Sequence, residues 1–262
     1  MKKIIFIFYF FFKFLVLTIN PSYSLIALNC DDTVSEAITV QQECQDNDTL
    51  VITNGGSVIL TGSDAIHAKN HSGVTIDNKG TISASVNQAI DMQHAVNTTV
   101  TNSGTIEATQ RNAILMDGVN ADNNTINNSG TLKAGKKQVI LATNSENTTI
   151  INSGTIEATN ANNPNTGGIN YYNTSGSAID GATITNSGTI FAYGTGIRFG
   201  TLGIASKAVN NMTITNSGTI EGGTASIAVH NANATGTNII TEGEGTYIGE
   251  ISFISFCCIF VV

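Results

Sequence analysis

The sequence predicts an all-β fold, a right-handed parallel β-helix of about seven to eight coils. A repeat of about 24 residues runs through most of the chain, and each repeat carries three short stretches rich in β-branched residues. These stretches alternate apolar and polar residues with the period of a strand, and none has the period of a helix. Only 11% of the residues are charged and two are prolines, a composition that favours an ordered chain over a disordered one. The right-handed coil follows the general rule for parallel crossover connections.

The repeat is defined by seven copies of a motif close to Ile-Thr-Asn-Ser-Gly-Thr-Ile, which begin 24 to 34 residues apart. Its third position is asparagine in every copy, at Asn54, Asn78, Asn102, Asn128, Asn152, Asn186 and Asn216. Its fifth position is glycine in every copy, which suits a tight turn because glycine tolerates positive φ. We predict that the asparagines form one structural column. Their amides either bond from coil to coil, as stacked amides do in cross-β assemblies, or serve only the geometry of the turn.

Each repeat is predicted to hold three strands. The first ends at the asparagine, and the second follows the turn with a sequence close to Thr-Ile-Glu-Ala. The third is an Ala-Ile segment, as in residues 65–68, 89–92, 113–116 and 139–142. One outward column of the second strand, a predicted solvated face, reads Ser83, Glu107, Lys133, Glu157, Phe191 and Glu221.

Residues 1–24 are predicted to be a secretory signal peptide. Lys2 and Lys3 precede an apolar run over residues 4–16, and small residues stand at Ser22 and Ser24. The alternative is a membrane anchor, but the run is shorter than the roughly 20 residues that a spanning helix needs, and Lys13 interrupts it. Cleavage removes three of the 11 basic residues and leaves eight against 19 acidic ones, a net charge of −11. This charge argues against binding to nucleic acid or to anionic membranes.

The rest of the chain divides into three predicted regions. Residues 25–50 form an N-terminal cap, in which Cys30 and Cys44 pair as a disulfide or remain two buried thiols. Residues 51–249 form the parallel β-helix. Residues 250–262 are an apolar tail whose composition differs from that of the repeats, as a shift of reading frame would produce.

The sequence predicts no catalytic, cofactor-binding or metal-binding residues. The candidate carboxylates for a polysaccharide-cleaving site are Asp64, Asp91, Asp117 and Asp180, and their positions within the repeat predict no cluster. Asp91 and Asp180 are expected to share a column several coils apart. His67 and Asp91 share an outward column in adjacent coils, where a surface hydrogen bond is expected and a catalytic dyad is the alternative. The other histidines, His71, His94 and His230, have no metal-ligand spacing.

Two repeats are longer than the others, and their extra residues lie at 160–177 and 200–211. Enlarged loops on adjacent coils are expected to form one bulge, which is either a binding face or a tolerated insertion. Asn-x-Ser/Thr triplets occur at Asn97, Asn147, Asn211 and Asn233, and in a eukaryotic secreted chain they would be glycosylation acceptors.

The signal segment, the early cysteine pair and the many copies of Thr-Asn-Ser-Gly-Thr-Ile-Glu-Ala together resemble the passenger region of a bacterial autotransporter. The resemblance covers roughly residues 30–249. It implies a right-handed β-helix displayed beyond the outer membrane, commonly for adhesion, and carried there by a C-terminal β-barrel. About 30 residues follow the last clear coil, too few for a barrel of eight strands, so we expect a passenger truncated before its translocator.

The resemblance predicts a secreted or surface-displayed protein that acts by contact and does not catalyse a reaction. Its expected partner is a cell-surface or polysaccharide ligand. The alternatives are a β-helix polysaccharide hydrolase or lyase and a purely structural spacer rod.

Overall fold

The computed structural model describes residues 28–174, 179–200, 209–230, 238–242, 244–253 and 260–261. The predicted signal peptide and most of the second insertion, residues 201–208, lie outside this part of the chain. Within it every regular element is a β-strand. No helix of the described residues is therefore long and apolar enough to cross a membrane.

The strands are short, mostly two to four residues, as the repeat predicts. In the first part of the chain they are β1 (Leu28–Asn29), β2 (Thr33–Val34), β3 (Ala37–Ile38), β4 (Gln42–Glu43), β5 (Thr49–Ile52), β6 (Ser57–Leu60), β7 (Ile66–His67), β8 (Thr75–Asn78), β9 (Thr81–Ala84) and β10 (Ile90–Asp91). The central part contains β11 (Thr99–Asn102), β12 (Thr105–Ala108), β13 (Ile114–Asp117), β14 (Thr125–Asn128), β15 (Thr131–Ala134), β16 (Ile140–Thr143), β17 (Thr149–Asn152), β18 (Thr155–Ala158) and β19 (Gly167–Tyr172). The last part contains β20 (Ile179–Asp180), β21 (Thr183–Asn186), β22 (Thr189–Ala192), β23 (Thr195–Phe199), β24 (Val209–Asn210), β25 (Thr213–Asn216), β26 (Thr219–Gly222), β27 (Ala225–Val229), β28 (Asn238–Thr241), β29 (Thr246–Ile248), β30 (Ile251–Phe253) and β31 (Phe260–Val261).

These strands form three long parallel sheets. Sheet 1 has the order β2-β5-β8-β11-β14-β17-β21-β25-β28-β31, and its strands include those that end at the repeat asparagine. Sheet 2 contains β3-β6-β9-β12-β15-β18-β22-β26-β29, and sheet 3 contains β1-β4-β7-β10-β13-β16-β19-β23-β27-β30. The chain visits sheets 1, 2 and 3 in turn, so the predicted parallel β-solenoid is confirmed. The seven predicted repeats are its turns from β5 to β27.

The ends of the solenoid extend beyond the repeats. The predicted cap contributes a strand to each sheet, because β2 pairs with β5, β3 with β6 and β4 with β7. At the other end β28, β29 and β30 continue the three sheets, and β31 pairs with β28. Terminal turns of this kind cover the apolar cross-section that the first and last repeats would otherwise expose.

The interior is built from stacked columns of identical or similar apolar residues. The seventh motif position forms one such column in sheet 2, and all of its members are completely buried: Val58, Ile82, Ile106, Leu132, Ile156, Ile190 and Ile220. The isoleucines of the Ala-Ile segments form a second column in sheet 3, which runs from Ile66 to Ile227. Because each turn repeats the pattern of the turn before it, the core is continuous along the axis.

Six of the asparagines form an amide ladder inside the solenoid. Asn78, Asn102, Asn128, Asn152, Asn186 and Asn216 are all at most 2% exposed. In each step the Nδ2 of one side chain donates to the Oδ1 of the next, at 2.7–2.8 Å. Each Nδ2 also lies 3.1–3.3 Å from a carbonyl oxygen of the following turn. The column is therefore a chain of buried hydrogen bonds and does more than shape the turn.

Asn54 is not part of this ladder, so the prediction that it joins the column is wrong. Sheet pairing places Ile52 opposite Asn78 and Leu50 opposite Ile76, which leaves Asn54 exposed in the turn. The connection from sheet 1 to sheet 2 is two residues longer in the first turn than in the second. Alignment of the motif by sequence therefore places Asn54 two residues beyond the position that Asn78 occupies in the next turn. Because Ile52 cannot donate a hydrogen bond, Oδ1 of Asn78 at this end of the ladder has no hydrogen-bond partner in the described residues.

The repeat glycines serve a purpose other than the predicted one. They do not have positive φ. At Gly104, Gly130, Gly154, Gly188 and Gly218, a Cβ would lie 2.1 Å from the carbonyl oxygen of the glycine in the preceding turn. Glycine is therefore required because the backbones of successive turns approach too closely for any side chain.

One column of residues with positive φ instead lies two residues before the strands of sheet 1. This left-handed column consists of Asn47, Gly73, Asn97, Asn123, Asn147, Gly181 and Asn211, with φ between 51° and 82°. Asparagine and glycine are the residues that adopt this conformation most readily. Asn97, Asn147 and Asn211 therefore have a turn-forming role in addition to standing in Asn-x-Thr triplets.

Cys30 and Cys44 form a disulfide next to the first turn. Both cysteines are fully buried and belong to the same apolar core as the repeats. Their backbones are paired as well, because Cys30 N donates to Glu43 O and Cys44 N donates to His67 O. The bridge therefore fastens the first strands of sheet 3 to the solenoid.

We predict that Asn128→Ala lowers the free energy of unfolding by about 2–4 kcal/mol, because it removes the donor to buried Oδ1 of Asn152 and the closest acceptor of Asn102 Nδ2. Asn127→Ala is the matched control, since Asn127 is the neighbouring outward residue of β14 and is only partly buried. It should change stability by less than about 0.5 kcal/mol. Guanidinium unfolding compares the two variants, and equal effects would show that the ladder contributes nothing specific.

We also predict that Gly130→Ala destabilises the protein by about 3 kcal/mol or more, because its Cβ would collide with the Gly104 carbonyl oxygen. Gly62→Ala is the control, since no atom lies within 4 Å of a Cβ built there. It should be neutral or stabilising by about 0.4–1 kcal/mol. Thermal unfolding of both variants tests this difference, and a harmless Gly130→Ala would contradict the close stacking of the turns.

For the disulfide, we predict that reduction lowers stability by about 3 kcal/mol in the chain-entropy treatment of a loop of this size. Mass spectrometry of the non-reduced protein should show Cys30 linked to Cys44. The control is the double variant Cys30→Ala/Cys44→Ala, whose unfolding should not respond to a reductant. Two free thiols in the oxidised protein would refute the bridge.

Candidate functional site

The strongest concentration of chemically reactive side chains lies on the outer face of sheet 3 near its N-terminal end. Strand pairing places Glu43 of β4, His67 of β7 and Asp91 of β10 in one column of three successive turns. Along each of these strands the adjacent residue points into the solenoid, so these three side chains project outwards. The predicted outward column of His67 and Asp91 is confirmed, and Glu43 extends it by one turn.

His67 lies between two carboxylates. Its Nδ1 is 2.7 Å from Oε2 of Glu43, which is hydrogen-bonding distance. Its Nε2 is 4.0 Å from Oδ2 of Asp91, which is too far for a hydrogen bond. The expected surface hydrogen bond is therefore formed with Glu43 and not with Asp91.

Asp64 completes the cluster. One ligand atom each from Asp64, His67 and Asp91 lies within 4.8 Å of the other two. Asp64 Oδ1 accepts a hydrogen bond from Gln88 N at 3.0 Å, which holds the carboxylate beside the next turn. The sequence-based prediction that no such cluster forms is wrong, because Asp64 reaches the column from the turn that precedes β7.

The pKa values of both aspartates are raised above their ordinary value. Burial raises the pKa of the Asp91 carboxyl, although a hydrogen bond from Gln93 N and the nearby His67 and Lys69 oppose this effect. Burial also raises the pKa of Asp64, and the negative charge of Asp91 adds to the increase. Each carboxylate is thus less stable in its charged form than a carboxylate in water.

The remaining candidates do not join this cluster. Asp117 ends β13 one turn further on, and its charge raises the pKa of Asp91 only from a distance. Asp180 does not share the column of Asp91, because β20 pairs with β24 in a separate two-stranded sheet. His71 bonds to Asp46 at the surface, and His94 bonds to the Val119 carbonyl oxygen. Burial lowers the pKa of His230, which lies near Arg198.

A second surface feature is an aromatic pair on sheet 2. The predicted outward column from Ser83 to Glu221 is confirmed by the strand pairing. Within it, Phe191 contacts Tyr193 edge to face, with ring centroids 5.1 Å apart. Tyr193 is 47% exposed. Lys133 forms no ion pair within 4.0 Å with Glu107 or Glu157, all three of which are described residues.

The aromatic pair adjoins the first insertion. Gly194 follows Tyr193 and lies directly against the backbone carbonyl groups of Pro164 and Thr166. Strand β19 (Gly167–Tyr172) occupies the third-strand position of this repeat and divides residues 160–177 into two separate segments. Residues 160–166 lie between sheets 2 and 3, whereas residues 173–178 precede β20 and fall partly outside the described residues.

The second insertion follows β23 at the corner between sheets 3 and 1. Its described strand, β24, pairs with β20 of the preceding turn. The two longer turns therefore share an extra two-stranded sheet at this corner, consistent with the predicted position of a common bulge.

Comparison with known proteins gives no relative from which a function could be transferred. No protein-family model, curated protein or solved structure matches this chain. The arrangement of its own residues is therefore the basis for assigning a role.

Proposed function

We propose that this protein is a secreted or surface-displayed passenger of the autotransporter type that acts by contact. The observation that carries the proposal is the contact between half-buried Phe191 and exposed Tyr193 on a mostly polar outer face of the solenoid. Exposed aromatic side chains are concentrated at recognition surfaces, where they supply a large apolar area at a low cost in conformational entropy.

The scaffold suits display. Ten stacked strands at about 4.8 Å give a rod roughly 40–45 Å long. Apolar columns run along its whole repeat region and the amide hydrogen bonds run from Asn78 to Asn216, so the rod needs no globular core beside it. Loops held on such a rigid framework commonly carry recognition.

The proposed contact surface consists of Phe191, Tyr193 and residues 160–166, with the second insertion as a further contact region. Glu157 and Glu221 flank Phe191 in the neighbouring turns of sheet 2. Aromatic rings between polar and acidic groups suit a glycan or a glycosylated cell surface, where rings stack on sugar faces and polar groups bond to hydroxyls. A cell-surface or polysaccharide ligand is therefore the proposed partner.

A polysaccharide hydrolase or lyase is the second candidate, because Asp64 and Asp91 are close and have raised pKa values. A glycosidase needs two carboxylates that flank a bound sugar. The side chain of Asp91 is only 8% exposed, so a sugar ring cannot reach it from the side opposite Asp64. This burial favours the contact proposal.

We predict that the double variant Phe191→Ser/Tyr193→Ser reduces attachment of protein-coated beads to cells at least about tenfold, since central aromatic contacts often contribute more than 1 kcal/mol each. Ile59→Ser is the matched control, because Ile59 is an exposed apolar residue in the same outward column at the other end of the rod. It should leave attachment unchanged. Deletion of residues 160–165 should act like the aromatic variant.

The other outcomes separate the alternatives. No attachment by the unaltered protein would favour a spacer rod. If attachment is unchanged in both the aromatic variant and the loop deletion, the proposed contact surface is wrong. Polysaccharide cleavage that is lost in Asp91→Asn would overturn the non-catalytic proposal.

A further inference from the structure

We propose that Asp64, His67 and Asp91 bind one divalent transition-metal ion of the Zn²⁺ type, and that Glu43 orients the imidazole for it. The proposal replaces the sequence-based expectation of no metal site. It stands on the cluster at the N-terminal end of sheet 3 and is independent of the contact surface on sheet 2.

The first support is the geometry of the ligand atoms. One atom from each of the three residues lies within 4.8 Å of the others, and Nε2 of His67 is 4.0 Å from Oδ2 of Asp91. Ligand atoms about 2.1 Å from a shared ion are about 3.4 Å apart in a tetrahedral site. The cluster therefore needs to contract by about an ångström, which the partly exposed side chains of Asp64 and His67 can supply.

The second support is the protonation of His67. A carboxylate only accepts hydrogen bonds, so the 2.7 Å contact with Glu43 places a proton on Nδ1 of the imidazole. In the neutral ring the lone pair then resides on Nε2, the atom that faces Asp91. A carboxylate that holds the far nitrogen of a metal-binding histidine is a recurring arrangement, and it fixes both the tautomer and the ring orientation.

The third support is the state of Asp91. Its side chain is more than nine-tenths buried, and its only hydrogen bond among the described residues is the one that Oδ1 accepts from Gln93 N. Oδ2 has no donor in that part of the chain and points towards His67. A carboxylate whose side chain is mostly buried is destabilised in its charged form, and a cation beside Oδ2 would offset that cost.

The nearby Lys69 does not neutralise the charge of Asp91 or Asp64 through an ion pair. The ammonium group of Lys69 donates to Oε1 of Gln93 at 2.8 Å, and it forms no ion pair with Asp64 or Asp91 within 4.0 Å. Asp64 and Asp91 repel each other, and burial disfavours the charge on both. A divalent cation between them would offset both effects.

The ligand types select the class of ion. Ca²⁺ takes six to eight oxygen ligands, and Mg²⁺ also prefers oxygen. An imidazole nitrogen with two carboxylates is a ligand set that suits Zn²⁺ and related transition-metal ions. Because His67 and Asp91 belong to successive turns, the ion would join neighbouring turns of sheet 3 where the repeat asparagine ladder has not yet begun.

The test is isothermal titration of chelator-treated protein with Zn²⁺ alone. We expect one ion per chain, with binding at least about tenfold weaker in His67→Asn and Asp91→Asn. Glu43→Gln should weaken binding about 10- to 100-fold, as loss of an orienting carboxylate does elsewhere. His71→Asn is the matched control, because His71 is also paired with a carboxylate, Asp46 at 3.1 Å, but is not part of the three-residue group. Its affinity should equal that of the unaltered protein.

A second readout keeps the test decisive if Asp91→Asn folds poorly. Zn²⁺ should raise the thermal midpoint of the unaltered protein and of His71→Asn, and should leave that of His67→Asn unchanged. Absence of Zn²⁺ binding, equal binding by His67→Asn, or equal binding of Ca²⁺ and Zn²⁺ would each overturn the proposal.

Discussion

The buried amide ladder is the interaction on which the rest of this structure depends. A buried asparagine inside an apolar solenoid costs free energy unless its polar atoms are paired, and along the ladder the partner is the same residue in the next turn. A shift of one residue between turns would bury the neighbouring outward residue and leave amides unpaired on both sides. The ladder therefore selects one register among many that the similar Ile and Thr columns would otherwise permit.

The same constraint determines where the chain varies. The longer turns still place Asn152 under Asn186 and Asn186 under Asn216, across sequence separations of 34 and 30 residues. Their extra residues lie at the corners between sheets 2 and 3 and between sheets 3 and 1. The Asn-Ser-Gly corner keeps its length in these turns, because its glycine packs against the glycine of the turn before. Insertions, the aromatic pair and the carboxylate cluster accordingly lie on corners and outer faces, where chemistry can differ without disturbing the register.

The repeat pattern is sufficient to predict the architecture, because equivalent residues of successive repeats stack on one another and the motif identifies which residues are equivalent. It failed at Asn54 because the first turn matches the motif letters while its strand ends two residues earlier, at Ile52. It missed the carboxylate cluster for a related reason. Asp64 stands where later turns have Gln88, Asn112 and Gln138, and Glu43 follows Gln42, a polar residue at a position that is isoleucine in most later turns. Neither carboxylate is part of the repeat, so only the three-dimensional structure shows that both lie beside His67.

The central claim is that the ladder and its glycine corner determine the register. Deletion of one whole turn tests this claim most directly. Removal of residues 129–152 takes out 24 residues and joins Asn128 to Ser153, so Asn128 should stack under Asn186 with every interior column intact. Removal of residues 129–140 takes out half a turn and brings strands of different sheets into conflict. Thermal unfolding followed by circular dichroism should show a cooperative transition close to that of the parent for the whole-turn deletion, and a lost or strongly lowered transition for the half-turn deletion. Equal behaviour of the two deletions would contradict the account.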